Sequence, residues 1–327
     1  MMTGPFPFAE ELSLDRLREA AELVWQSEYC RRTGLLLGAQ QCFSEALANA
    51  YPGRRLELHL KLEGMQKTGC FKIRGIVHQM EKRLKDLRDD SSLLTFSGGN
   101  YGRGFASIAN AYGFANTVVM PSSVPANRVA EIRSQGTHVE LVDETELLEY
   151  VQRRRATSNE VWFDPFDDID LIQGYASIAF EILDSVGAPD VLVASCGGGG
   201  LLSGLSAAVR AAGLSHHRCR VYGVEPPDTD PMKRSFKAQG GAQRRYLGAV
   251  TDEVCCMHAD DCVAVSNAEV IAAVRALKDV GQIAEPLGAT GLSALLAGRI
   301  PLPDKEVVTV VCVISGRNID IDKWRAL

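Results

Sequence analysis

Four consecutive glycines, Gly197, Gly198, Gly199 and Gly200, follow a strand-like run at 191–194 and precede an apolar helical pattern at 201–212. Glycine lets a backbone wrap closely around a ligand, and a helix start adds unpaired N–H groups and the positive end of the helix dipole. The ligand this turn predicts is a phosphate, seated against the glycines and Leu201. The run lacks the Lys and Ser/Thr of a P-loop and does not match the G-x-G-x-x-G dinucleotide pattern. A second segment sets Lys72 between Phe71 and Ile73 at the start of a helical stretch. An apolar setting lowers an amine's pKa and suits it to form a Schiff base with a carbonyl cofactor, although a lysine there could equally snorkel from a helix surface. The third segment is Ser97-Gly98-Gly99-Asn100-Tyr101-Gly102-Arg103-Gly104, between a strand ending at Phe96 and a helix running toward Tyr112. Ser97, Gly98, Gly99 and a free helix start suit capture of a carboxylate, and the Asn100 amide can hydrogen-bond a phenolic oxygen.

These segments need elements to hold them, and the chain supplies strands and helices in alternation. An amphipathic helix with Leu14, Leu17, Ala20, Ala21 and Val24 opens it. Candidate strands follow at 56–62, 92–96, 117–120, 138–142, 191–195, 221–225, 263–265 and 307–314, with helical patterns between them at 128–135, 144–155 and 178–186. Short β-branched or aliphatic runs bounded by turn residues are what buried parallel strands look like, so an α/β fold is predicted. No linker or repeat separates the parts, and the two lobes are expected to interleave around a shared cleft.

With 327 residues, 46% hydrophobic and 23% charged, the chain can bury a large core. Its net charge of -6 gives no electrostatic reason to expect a polyanion partner, since neutralising phosphates needs clustered Lys and Arg. No apolar run approaches the ~18 residues of a membrane span, and acidic residues at Glu10, Glu11 and Asp15 argue against an export signal. A cytoplasmic location is expected, with no nucleic-acid or membrane partner. The nine cysteines lack framework spacing and read as reduced thiols. Cys255-Cys256 with His258 has no second paired set to complete a zinc site.

Taken in order, the three motifs resemble the fold type II pyridoxal-phosphate family of threonine/serine dehydratases and serine racemases, over roughly residues 32–320. The resemblance implies two open-twisted α/β lobes with pyridoxal 5'-phosphate in the cleft between them. The larger would comprise 1–85 and 164–327 and the smaller 86–163. It further implies that Lys72 carries the cofactor as a Schiff base and acts as the catalytic base, with Phe71 beside it and Asn100 on the ring hydroxyl. The glycine loop with Leu201 would hold the phosphate, Ser315 would meet the pyridine nitrogen, and Glu285, followed by Pro286, would stand near the ring. Ser97, Gly98, Gly99 and Asn100 would bind the substrate. A serine at the ring nitrogen makes the cofactor a moderate electron sink, which permits Cα deprotonation and loss of a β-substituent.

The implied activity is an ammonia-lyase (dehydratase) for a small β-hydroxy amino acid such as threonine or serine, in a homodimer. β-Replacement, diaminopropionate-type elimination, racemisation and a non-catalytic binding role are the alternatives. Several positions depart from the family pattern. Cys70 replaces a serine, Gly98 stands where racemases carry serine and many dehydratases alanine, Tyr175 interrupts a Gly-Gln-Gly-Thr-like segment, and Arg317 replaces a glycine. Glu225 resembles the first carboxylate of a divalent-cation site, but Pro231 falls where a second would stand, leaving Asp230 as a substitute.

Overall fold

The computed structural model describes residues 6–226, 231–237 and 248–326. Among them lie two parallel sheets. A six-stranded sheet runs in the order Leu35–Leu36, Arg55–Leu62, Val307–Ile314, Val191–Ser195, Arg220–Glu225, Asp261–Ala264. Only its first strand pairs antiparallel. A four-stranded sheet is parallel throughout, in the order His138–Val142, Ala115–Pro121, Ser92–Phe96, Val161–Trp162. Four strands, at 92–96, 138–142, 191–195 and 307–314, have the bounds predicted from sequence. The two-residue strands at Leu35–Leu36 and Val161–Trp162 were not predicted, because two residues carry no period.

The central strands Val191–Ser195 and Val307–Ile314 are buried almost throughout, as parallel strands covered on both faces must be. In such sheets the loops that leave the carboxyl ends of the strands line the ligand crevice. Here those loops are residues 97–99 after Phe96, 196–199 after Ser195, and 315–320 after Ile314. The segment between Leu62 and Lys72 leaves the carboxyl end of a fourth strand.

The helix Ile169–Val186 begins nine residues before the predicted 178. Asp168 caps it, its carboxylate accepting from the backbone N–H groups of Asp170 and Leu171. Gly174 reads in sequence as a breaker, but packing requires it. A Cβ there would lie 2.7 Å from the Arg74 carbonyl oxygen and 2.8 Å from Gly75 Cα. A Cβ on Gly204 would likewise meet the Ile172 carbonyl at 2.6 Å. Glycines thus bring the helices Lys72–Arg83, Ile169–Val186 and Gly200–Ala211 into backbone contact, coupling the lysine-bearing helix to the glycine-loop helix.

Beneath Lys72 lies a buried ionic cluster. Arg74 spans two carboxylates: Nε and Nη2 donate to Glu63 at 2.8 and 2.9 Å, and Nη1 and Nη2 to Glu181 at 2.6 and 2.9 Å. Lys61 Nζ donates to Glu181 at 2.5 Å, and the Thr33 hydroxyl to Glu63 at 2.6 Å. Two cations balance two anions, and the remaining polar capacity is hydrogen-bonded, as burial demands. No helix of the described residues is long and apolar enough to cross a membrane.

Candidate active site

A cleft of about 1430 Å³ opens where these loops converge. Its walls include Phe71, Lys72, Ser97, Gly98, Gly99 and Asn100 from the first third of the chain, and Gly197, Gly198, Gly199, Gly200, Leu201, Glu285 and Ser315 from the remainder. Every predicted site residue except the cation candidate Glu225 therefore comes to one cavity.

Lys72 is the first residue of its helix, and the segment before it is stitched to the loop after the last strand of the six-stranded sheet. Phe71 N–H donates to the Ser315 carbonyl at 3.0 Å, and Arg317 N–H to the Gly69 carbonyl at 2.8 Å. Lys72 and Ser315 are thereby held across the same cavity. Lys72 Nζ lies 5.1 Å from the Phe71 ring centroid and 5.7 Å from that of Tyr175, and it has no hydrogen-bond acceptor among the described residues. Burial lowers the amine's pKa, against the raising influence of Cys70 and Asp164. Burial thus favours the neutral amine, the form that attacks a carbonyl.

The glycine loop ends at Gly199, whose φ of 88° is left-handed, and no side chain caps the helix Gly200–Ala211. The backbone N–H groups from 197 to 202 find no acceptor among the described residues. They form an anion seat at a helix start. A Cβ on Gly197 would meet nothing within 4 Å, so that face of the loop is open. The far side is backed by Phe166 behind Gly198 and by Met232 and Thr251 behind Gly199.

Asn100 opens the helix Asn100–Ala111 and is oriented by two neighbours. Its Nδ2 donates to Glu285 Oε1 at 2.6 Å, and its Oδ1 accepts from Asn318 Nδ2 at 2.7 Å. One Nδ2 hydrogen stays available. Asn318 was missed as a site residue from sequence, although Gly69 signals it: at φ 75°, a Cβ on Gly69 would overlap the Asn318 amide. Glu285 is raised by burial, with Asn100, Arg128 and Arg103 opposing the rise. Ser315 Oγ shares a 2.9 Å hydrogen bond with Ser195 Oγ, a second residue the sequence did not single out.

Two residues named among the departures from the family pattern lie outside the cleft. Tyr175 does not line the cleft. Its ring is buried under Lys72 and Gly200, and its hydroxyl has no hydrogen-bond partner among the described residues, so it cannot stand opposite the lysine. Glu225 also lies away from the cleft, and its two oxygens accept from the N–H groups of Met232 and Lys233 at 3.1 and 3.0 Å. Its neighbours of metal-ligating type are the thiols of Cys196 and Cys262 rather than carboxylates. Asp230 lies outside the described residues.

Comparison with known proteins matches residues 42–316 to the family model described as pyridoxal-phosphate dependent enzyme. The chain belongs to that family. It is 32% identical over 286 residues to an L-threo-3-hydroxyaspartate ammonia-lyase of Pseudomonas sp, covering 83% of this chain and 88% of that protein. It is 30% identical to a serine racemase of Schizosaccharomyces pombe (strain 972 / ATCC 24843), covering 82% and 84%. Among solved structures, a threonine deaminase from T.th. superposes with a TM-score of 0.79 at 32% identity, covering 94% of this chain and 99% of that one. The family and the fold type II architecture expected from the motifs are borne out, and the chain is an enzyme of this family.

Proposed function

We propose that the chain is an ammonia-lyase that eliminates water from a small β-hydroxy amino acid such as threonine or serine, after which water hydrolyses the resulting imine to a 2-oxo acid and ammonia. The observation that carries this is the Lys72 amine, half-buried without an acceptor, in one cavity with an open anion seat and a buried serine pair. These residues fit pyridoxal phosphate. Lys72 would be its covalent attachment point, Gly197, Gly198, Gly199, Gly200 and Leu201 would hold the phosphate, and the free Asn100 Nδ2 hydrogen would meet the ring hydroxyl. Ser315 would meet the ring nitrogen, its proton arrangement set by Ser195. Bound there, the cofactor supplies an electron sink for the charge left at Cα.

The protein's own groups supply the rest. The N–H groups of Asn100, Tyr101 and Gly102 have no acceptor among the described residues, and with Ser97, Gly98 and Gly99 they would bind the substrate carboxylate. The Lys72 amine, with its pKa lowered by burial, takes the Cα proton. We assign the cofactor seat to a larger domain of 1–85 and 164–327, and the carboxylate seat to a smaller one of 86–163. Glu225 is left out of the cofactor assignment because both of its oxygens already serve a helix start.

The test is product analysis. Purified protein given threonine or serine should release 2-oxobutyrate or pyruvate with stoichiometric ammonia. A new amino acid formed only with an added nucleophile, and no 2-oxo acid, would establish β-replacement instead.

A further inference from the structure

The glycine loop is braced from behind, and two of its braces start from one short segment. Residues 163–168 run from the strand Val161–Trp162 of the four-stranded sheet to the helix Ile169–Val186. The segment is anchored to that sheet, with Phe163 N–H donating to the Leu94 carbonyl at 2.8 Å and the Thr95 hydroxyl to the Phe163 carbonyl at 2.7 Å. Asp164 then turns the chain, its Oδ1 accepting from the N–H groups of Phe166 and Asp167 at 3.1 and 2.8 Å. Phe166 packs directly behind Gly198, where an added Cβ would lie 3.0 Å from Phe166 Cβ. Asp167 instead reaches the start of the helix Ala249–His258, 82 residues further along the chain. Its carboxylate accepts from the N–H groups of Ala249, Val250 and Thr251 at 2.9, 2.9 and 3.1 Å.

That helix has Gly248 at its N-cap and so no capping side chain of its own. Asp167 supplies the acceptors that its first N–H groups lack. Gly248 leaves the room for it, since a Cβ there would lie 1.8 Å from Asp167 Cγ. A cap on a surface helix would only stabilise the helix, but this helix carries the underside of the glycine loop. Thr251 stands behind Gly199, where an added Cβ would lie 3.0 Å from Thr251 Cβ, and the Cys255 thiol donates to the Gly199 carbonyl at 3.6 Å. The Ser203 hydroxyl, on the helix that follows the loop, donates to the Thr251 carbonyl at 3.3 Å. Four glycines have little conformational preference, so their N–H groups converge on one point only if neighbours hold them there, and a loop left loose pays its ordering cost when the ligand binds. We propose that Asp167 is a positioning residue for the cofactor phosphate. By fixing the helix Ala249–His258 it fixes the left-handed turn at Gly199, and with it the aim of the N–H groups from 197 to 202, although Asp167 itself does not line the cleft. The proposal rests on the assignment of the phosphate to the glycine loop.

The test compares pyridoxal phosphate with pyridoxal, which forms the same link to Lys72 and carries no phosphate. Each is titrated into the full chain stripped of cofactor, and the absorbance of the link to lysine is followed. Wild type should prefer the phosphorylated ligand strongly. Asp167→Ala should lower that preference by about tenfold or more while changing pyridoxal affinity less than twofold, because only the phosphate seat is loosened. Asp167→Asn keeps one acceptor oxygen and should lose less. Gly248→Ala leaves Asp167 in the sequence but occupies its place, and should match Asp167→Ala; it and Asp167→Asn decide the matter if the alanine variant does not fold. An unchanged preference in these variants, or an equal loss of affinity for both ligands, would overturn the proposal. A wild type that binds both ligands equally would refute the phosphate seat itself, and the proposal with it.

Discussion

Replacing Arg74 by Met keeps the length of the stem and removes the charge and its donors. The change leaves Glu63 and Glu181 buried with Lys61 as the remaining cation of the cluster. Removing one partner of a buried ion pair typically costs about 3–5 kcal/mol, because the other partner keeps its desolvation penalty. For a chain of 327 residues the unfolding entropy is about 0.7 kcal/mol/K, so the midpoint should fall by about 4–7 °C if unfolding is one transition. A second variant, Arg74→Met with Glu63→Gln, restores charge balance and should recover part of the loss. Burial alone would raise the Glu181 carboxyl, but the Arg74 and Lys61 charges outweigh it and hold the group below its ordinary value. A carboxyl depressed in the folded state contributes stability fully above its unfolded pKa of about 4.5 and loses it as pH falls through the folded value. The gap between wild type and Arg74→Met should therefore be widest near neutrality and shrink below about pH 4.5. Calorimetric scans across that range provide the measurement. A shift under 1 °C at neutral pH, or strict additivity of the two substitutions, would refute the account of this cluster as a coupled unit.

Three further outcomes are expected. Lys72→Ala should leave no cofactor fixed to protein by borohydride, as read by peptide mass, and a fixed cofactor on another lysine would displace Lys72 from its role. Gly197→Val should weaken cofactor affinity at least tenfold with little loss of apo stability, since that face of the loop is open, whereas Gly199→Ala should cost stability as well because its φ is 88° and its Cβ would lie 2.8 Å from Met232 Cε. Gly98→Ser should not confer racemisation, because a Cβ at 98 would point at Val124 Cγ2, 2.8 Å away; deuterated D-serine forming in deuterated water as fast as pyruvate would contradict this.

The strands were legible because most are short aliphatic or β-branched runs bounded by turn residues, such as Ser97, Pro121 and Ser315, the pattern of strands buried in a parallel sheet. The helix Ile169–Val186 was less legible. Gly174 breaks its apolar period, and the reason for that glycine, the backbone of Arg74 and Gly75 lying against it, belongs to a segment a hundred residues earlier. The ionic cluster was illegible for the same reason. Arg74, Glu63 and Glu181 are ordinary surface types, and only the packing of three separate elements brings them together away from water.

The site divides along a similar line. Residues that act through backbone shape, such as the glycine loop, declare themselves locally, because few other pressures put four glycines before a helix, whereas Lys72, which alone could equally snorkel, gains its reading from the company of the other two motifs. Residues that act by orienting another side chain do not. Asn318 and Ser195 carry no distinctive spacing, yet one holds the Asn100 amide and the other the Ser315 hydroxyl.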